Sequence, residues 1–158
     1  MEPTPPAFEL LAALESFALV VSALLDDPAI NWHWQPDEES WSLTEVMCHL
    51  RDVEREVHLP RYEAVLAREQ PFLSGVDSDN WAASRAYHAQ DGRAAALTFL
   101  ALRAQSLDLL RDLSWEQWQR TANHAFFGNT SLQELTNLAV QHDEAHEHQI
   151  QELMVAAG

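Results

Sequence analysis

The chain has 158 residues, 47% of them hydrophobic, with only four Gly and seven Pro; it is long enough for one globular domain (residues 1–158) and too apolar to be disordered. Twenty-five acidic residues stand against nine basic ones, all arginine, and the formal net charge of −16 argues against nucleic-acid partners, whose phosphates carry the same sign. No stretch reads as a bilayer span, residues 1–6 lack the basic and apolar regions of a secretory leader, and Cys48 has no second cysteine to pair with; the expectation is a cytoplasmic protein without a membrane partner.

Pro5 and Pro6 mark where a first helix can begin. Leu10, Leu14, Phe17, Val21 and Leu24 then recur at three- and four-residue steps, and Asp26-Asp27-Pro28 stops the pattern. Leu11, Ala18 and Leu25 form a second stripe at seven-residue spacing, a face for a partner chain or for the protein's own loops. Ala29 to Ser40 reads as a loop anchored by Trp32 and Trp34. Ser42-Leu43-Thr44-Glu45 is a capping box opening a second helix, with Val46, His49, Leu50, Val53 and Val57 on one face. Pro60 should kink or end it, and helix resumes through Leu66 until Pro71.

Residues 71–92 are irregular, with a short helix opening at Ser78-Asp79-Asn80-Trp81. A third long helix starts near Asp91 and runs through Leu97, Leu100, Ala104, Leu107 and Leu110. Ser114-Trp115-Glu116-Gln117 opens another short helix, and Gly128-Asn129 reads as a turn. Ser131-Leu132-Gln133-Glu134 is a second capping box, and from it the last helix runs to about Val155. No β-type alternation of useful length appears. The pattern predicts an all-α protein, a four-helix bundle with short extra helices in its connections.

Chemistry has to be sought among the eight histidines. His49 takes an apolar position on the inward face of helix two, and His142 and His146 lie four residues apart on the inward face of the last helix. Side chains at that spacing meet on one face, close enough to share a metal ion at about 2.0–2.1 Å per nitrogen. Three inward imidazoles from two helices are how bundles build metal sites, and three ligands leave a coordination position open. The bland alternative is three core histidines satisfied by carbonyls or carboxylates.

Glu45 and Asp52 near His49, and Asp143 beside His142, are carboxylates that could accept a ring N–H, although plain surface charge is the more ordinary role for each. Gln149 shares the inward face. His58 reads as paired with Glu54 on the surface, His148 as solvated, and His33 and His88 as partnerless; His124 could reach a site mouth but is more in keeping with a structural role. Arg103, amid apolar residues, suits a salt bridge better than an anion site. Cys48 is turned about 100° from His49 and reads as a small buried residue. No nucleophilic triad, phosphate loop or CxxC pair is present.

The run Trp41-Ser42-Leu43-Thr44-Glu45-Val46-Met47-Cys48-His49-Leu50, followed by Arg51-Asp52-Val53-Glu54, resembles the second helix of the DinB/YfiT-like superfamily. The segment from His142 to Ile150 is similar to that family's HDxxHxxQI signature, and His124 to Leu135 has the family's look. The resemblance spans about Ala7 to Leu153. It implies a four-helix bundle, commonly a homodimer, in which His49, His142 and His146 hold a divalent transition metal (Ni, Zn, Mn or Fe). It also implies chemistry on a small-molecule substrate, with a low-molecular-weight thiol of the bacillithiol, mycothiol or glutathione type as a further cofactor. On that basis the leading expectation is a metal-dependent thiol S-transferase whose metal depresses the pKa of the thiol. The alternatives are a metal-dependent hydrolase using the same open position on water, or a non-enzymatic metal- or ligand-binding stress protein. No residue stands out as the catalytic acid or base.

Overall fold

The computed structural model describes residues 2–158. In chain order its elements are α1 (Ala7–Leu25), α2 (Leu43–Val53), a π turn (Glu54–His58), α3 (Leu59–Ala67), β1 (Phe72–Leu73), α4 (Trp81–Ser84), a 3-10 turn (Tyr87–Ala89), α5 (Gly92–Leu110), α6 (Trp115–Trp118), β2 (Thr121–His124), β3 (Gly128–Ser131) and α7 (Leu132–Ala157). The run from α2 to α3 is one long segment, so four long helical segments make the bundle. α5 packs between α1 and α2, and α7 lies against α1 and the α2–α3 segment.

Four of the helix starts, those of α2, α5, α6 and α7, are set by side chains where the sequence predicts. Ser42 with Glu45, Ser114 with Gln117 and Ser131 with Glu134 form complete capping boxes, and the Asp91 carboxylate accepts from Ala94 N at the head of α5. Each cap satisfies amides that would otherwise be orphaned, worth about 1 kcal/mol apiece. At Gly92 an added Cβ would stand 2.5 Å from Thr44 Oγ1, so the absent side chain lets α5 begin hard against the start of α2.

Three expectations need correction. Pro60 does not end the helix: the turn before it widens to a π turn and the chain continues as α3. A proline ring clashes with the carbonyl four residues back, here Glu56, and the wider turn relieves that clash. Strands are also present, in a small sheet of order β1-β2-β3, with β1 parallel and β3 antiparallel to β2. At two and four residues they are too short to show alternation. The turn itself is residues 125–127, and Gly128, at φ +68°, begins β3 in the left-handed conformation that closes such a three-residue loop.

The third correction concerns α1, which at 19 residues is long and apolar enough by length and composition to cross a membrane. In this structure Leu10, Leu14, Phe17, Val21 and Leu24 are instead its buried stripe in the bundle. Leu11 and Leu25 pack partly on the chain's own core. The large apolar side chains that α1 leaves exposed are Phe8 and Leu19, 11 residues apart and therefore on one face.

The core divides into two apolar clusters. One gathers Phe17, Val21, Leu50, Phe99 and Ile150; the other gathers Leu10, Leu14, Tyr62, Leu107 and Val140. Between them lies a charged layer centred on Arg103, which is 1% exposed. Its guanidinium donates to Glu54 (3.0 and 3.1 Å), to Asp143 (2.8 and 2.9 Å) and to the carbonyl of Leu14 (3.1 Å). Those bonds use all five of its N–H donors. Ser106 Oγ adds a bond to Glu54 at 2.9 Å.

Removing the cation strands two buried carboxylates, a change worth about 3–5 kcal/mol. We expect Arg103→Met to lower the urea midpoint accordingly. Arg103→Lys should restore only part of the loss, because an ammonium cannot serve both carboxylates through a planar fork. Chemical denaturation monitored by circular dichroism reads both.

Candidate metal centre

α2 presents His49, and α7 presents His142 with His146 one turn later. The seam between the two helices brings their rings together. His49 Nε2 lies 3.1 Å from His142 Nε2, which lies 3.2 Å from His146 Nε2, and all three ligand atoms fall within 4.8 Å of one another. Metal–nitrogen bonds of about 2.0–2.1 Å place two nitrogens about 2.9 Å apart at a right angle and about 3.3 Å apart at the tetrahedral angle. The two short spacings fall between those values.

Hydrogen bonding alone does not account for the cluster. A neutral imidazole nitrogen either donates one proton or offers one lone pair. His142 Nε2 faces two other Nε2 atoms, so one proton position cannot satisfy both contacts. A single cation among three lone pairs can. His146 Nδ1 bonds Gln149 Oε1 at 2.8 Å, which fixes the proton on Nδ1 and turns the Nε2 lone pair toward the cluster. His49 is held differently: its Nδ1 is buried without a partner, and Trp41 covers the ring at 5.2 Å between centroids.

Of the neighbours considered from sequence, Gln149 bonds a member of the cluster and the carboxylates do not. Asp52 is buried but accepts from Tyr87 Oη (2.6 Å), Arg51 Nε (2.8 Å) and Arg85 Nη1 (3.0 Å), tying α2 to the segment around α4. Glu45 is occupied by the Ser42 cap, and Asp143 points into the Arg103 layer. Consecutive helical residues diverge by about 100°, so adjacency in sequence does not make these carboxylates partners of the histidines.

His58 and Glu54 are not a surface pair: both are buried, Glu54 against Arg103 and His58 with its ring edge-on to His142 at 5.3 Å. His124 is also buried, and its Nδ1 accepts the Phe126 amide at 3.0 Å, a structural role in the hairpin. His148 is exposed beside Glu152, and His33 and His88 are exposed. Cys48 is buried and its thiol is pushed up to about 11 by burial, which keeps it unreactive.

Two cavities lie near the cluster, one bordered by the Trp41 and Gln149 that touch its rings and the other by His142 itself. A larger one of about 490 Å³ lies beyond His146 and is lined by Trp41, Gln149, Glu39, Glu152 and Leu153 among others. A smaller one of about 250 Å³ lies on the other side and includes His142, His58, Arg61 and His124 in its lining. Trp41, His58 and Arg61 are thus parts of the site that helical periodicity did not single out. His58 falls nine residues after His49, half a turn away on a regular helix; the extra residue in the π turn rotates it inward.

Burial dominates the electrostatics. It pulls His49 down to about 4 and His142 to about 2, with neighbouring histidines adding to the effect, and it pulls His58 to about 4. These rings are therefore neutral at pH 7, the form that offers lone pairs to a metal. Asp143 is raised by burial to about 6 against the pull of Arg103, because one guanidinium serves two carboxylates.

The signs of these shifts oppose each other. Between about 6.5 and 4 the unfolded chain binds protons that His49, His58 and His142 refuse in the fold, so acidification destabilises. Over roughly 3.8 to 6, folded Asp143 takes up a proton that the unfolded chain does not, so acidification stabilises through that group. Three groups against one give a net loss. We expect the urea midpoint of chelator-treated protein to fall between pH 7 and pH 4.5, and the fall to shrink in His58→Phe. Gln149→Leu should weaken zinc binding about 10- to 100-fold with the fold intact, read by competition with a chromogenic chelator.

Comparison with known proteins supports the same architecture. No curated protein matches the chain. Among solved structures it is similar to one described as YfiT from Bacillus subtilis, a probable metal-dependent hydrolase with an unusual four-helix bundle topology. The TM-score is 0.83 at 19% identity, covering 100% of this chain and 94% of that one. The fold described above is therefore that four-helix bundle. A model of the DinB superfamily matches residues 9–150, nearly the whole bundle and both histidine-bearing helices, and the chain belongs to that superfamily.

Proposed function

We propose that the chain is a metal-dependent hydrolase in which His49, His142 and His146 hold one divalent transition ion. The observation that carries this reading is the convergence of three neutral Nε2 atoms at metal-ligand spacing beside two cavities. An ion held by three protein ligands keeps positions free and supplies Lewis acidity that makes water nucleophilic near neutral pH.

The chain's own residues do the rest. Gln149 fixes the tautomer of His146 through its Nδ1, and Trp41 fixes the His49 ring by packing. Burial keeps the three rings unprotonated, so binding an ion displaces few protons at neutral pH. The flanking cavities are the space where a small molecule meets the site.

Hydrolysis is preferred to thiol transfer because the similar solved structure is described as a probable hydrolase. Thiol transfer rests on the family resemblance alone and would use the same histidines. The proposal keeps the homodimer expected from that resemblance, supported by the exposed Phe8 and Leu19 on one face of α1 and checked by light scattering.

The test compares wild type with His142→Ala, each loaded with zinc, nickel or manganese. We expect about one ion per wild-type chain and turnover of activated esters such as p-nitrophenyl acetate without added thiol, both lost in a variant that remains helical. Turnover seen only when glutathione is supplied with an electrophile would replace hydrolysis by transfer. Wild type that takes up no ion would remove both.

A further inference from the structure

The smaller cavity beside His142 has a charge character at odds with the rest of the molecule. In a chain of net charge −16, no Asp or Glu contributes to its lining. Its polar members are Arg61, His58, His124, His142 and Ser78, and the remainder is valine, leucine and phenylalanine.

Arg61 is the cation of that lining, and it is not engaged by a carboxylate. Arg51, Arg55 and Arg85 each pair with Asp52, Arg103 lies between Glu54 and Asp143, and Arg111 pairs with Glu15 and Asp108. Arg61 makes no ion pair among the described residues. Among the described residues its one side-chain hydrogen bond runs from Nη2 to the carbonyl of Ser74 at 3.2 Å. Glu56 lines the shallower hollow on the other side of Arg61, but Arg85 already holds it. Burial lowers the Arg61 pKa, as expected of a half-buried cation short of opposite charge.

We propose that Arg61 is a specificity-determining residue that receives the carboxylate of a small substrate whose apolar part fills the cavity next to His142. This assignment rests on the reading of the three histidines as the reactive centre. The planar guanidinium fork matches a carboxylate in two parallel hydrogen bonds. A phosphate dianion suits the site less well, since the lining supplies one formal cation and the histidines are neutral. At about 250 Å³ the cavity lies under the roughly 300 Å³ at which drug-sized pockets begin, so the occupant is small.

The experiment uses the full chain, zinc-loaded and metal-free in parallel, titrated calorimetrically with phenylacetate and with its neutral isostere phenylacetamide. We expect phenylacetate to bind at least tenfold more tightly than the amide. Arg61→Gln should remove that preference while leaving zinc content and helicity at the wild-type level, and Arg61→Lys should restore part of it. Equal binding of acid and amide, or an unchanged preference in a folded Arg61→Gln protein, would overturn the assignment. An acid preference that survives Arg61→Gln only in the zinc-loaded form would place the carboxylate on the ion instead and equally overturn it. Wild type that takes up no zinc defeats the metal reading, while the acid–amide difference on that same protein still decides the role of Arg61.

Discussion

A single guanidinium crosses the middle of this bundle, and the positions of the clustered histidines follow from it. Arg103 on α5 joins the carbonyl of Leu14 on α1, Glu54 in the π turn and Asp143 on α7, so one group ties all four long segments at the same level. An unpaired charge at that depth would cost several kcal/mol, and five satisfied donors offset it. Because Asp143 must point at Arg103, the residue before it is turned about 100° away, toward the seam with α2. His142 therefore faces His49. One turn on, His146 completes the cluster. The charged layer in the core and the histidine cluster at its edge are two consequences of one helical register.

Burial gives the site its second property. It holds the clustered imidazoles in the neutral form, and the surrounding acidic surface attracts cations rather than repelling them. A strongly acidic chain thus carries a cluster of neutral nitrogen donors suited to a metal without carrying positive charge there. Arg61 lies outside the cluster in the adjoining cavity, so the attraction for a cation and the attraction for an anion occupy different places along the seam.

Much of this was legible from the residues. Ser42, Ser131 and Ser114 announced their helices because capping is a local interaction, complete within four residues. His142 and His146 were legible because regular helix makes spacing predict direction. His58 was not, since a widened turn changes direction without leaving a periodic trace; Pro60, which forces that turn, was its only mark. The strands failed for a related reason, being shorter than the pattern that would reveal them. Asp52 and Asp143 show the opposite error. They stand close to histidines in the chain, yet neither bonds one, and each is drawn to a group more than 30 residues away in sequence, Tyr87 for Asp52 and Arg103 for Asp143.

A cluster of three nitrogen donors does not by itself choose a reaction, but its surroundings differ from one side to the other. The cavity beyond His146 carries Glu39 and Glu152 in its lining, whereas the cavity beside His142 carries Arg61 and no carboxylate. The two cavities therefore differ in the charge of their linings, acidic in the one and cationic in the other. On the proposed reading, a small acid is disfavoured in the first and held by Arg61 in the second, which fixes its direction relative to His142. Fixing direction in this way is worth more to catalysis than tighter binding alone, because orientation is what turns an encounter into a reactive geometry.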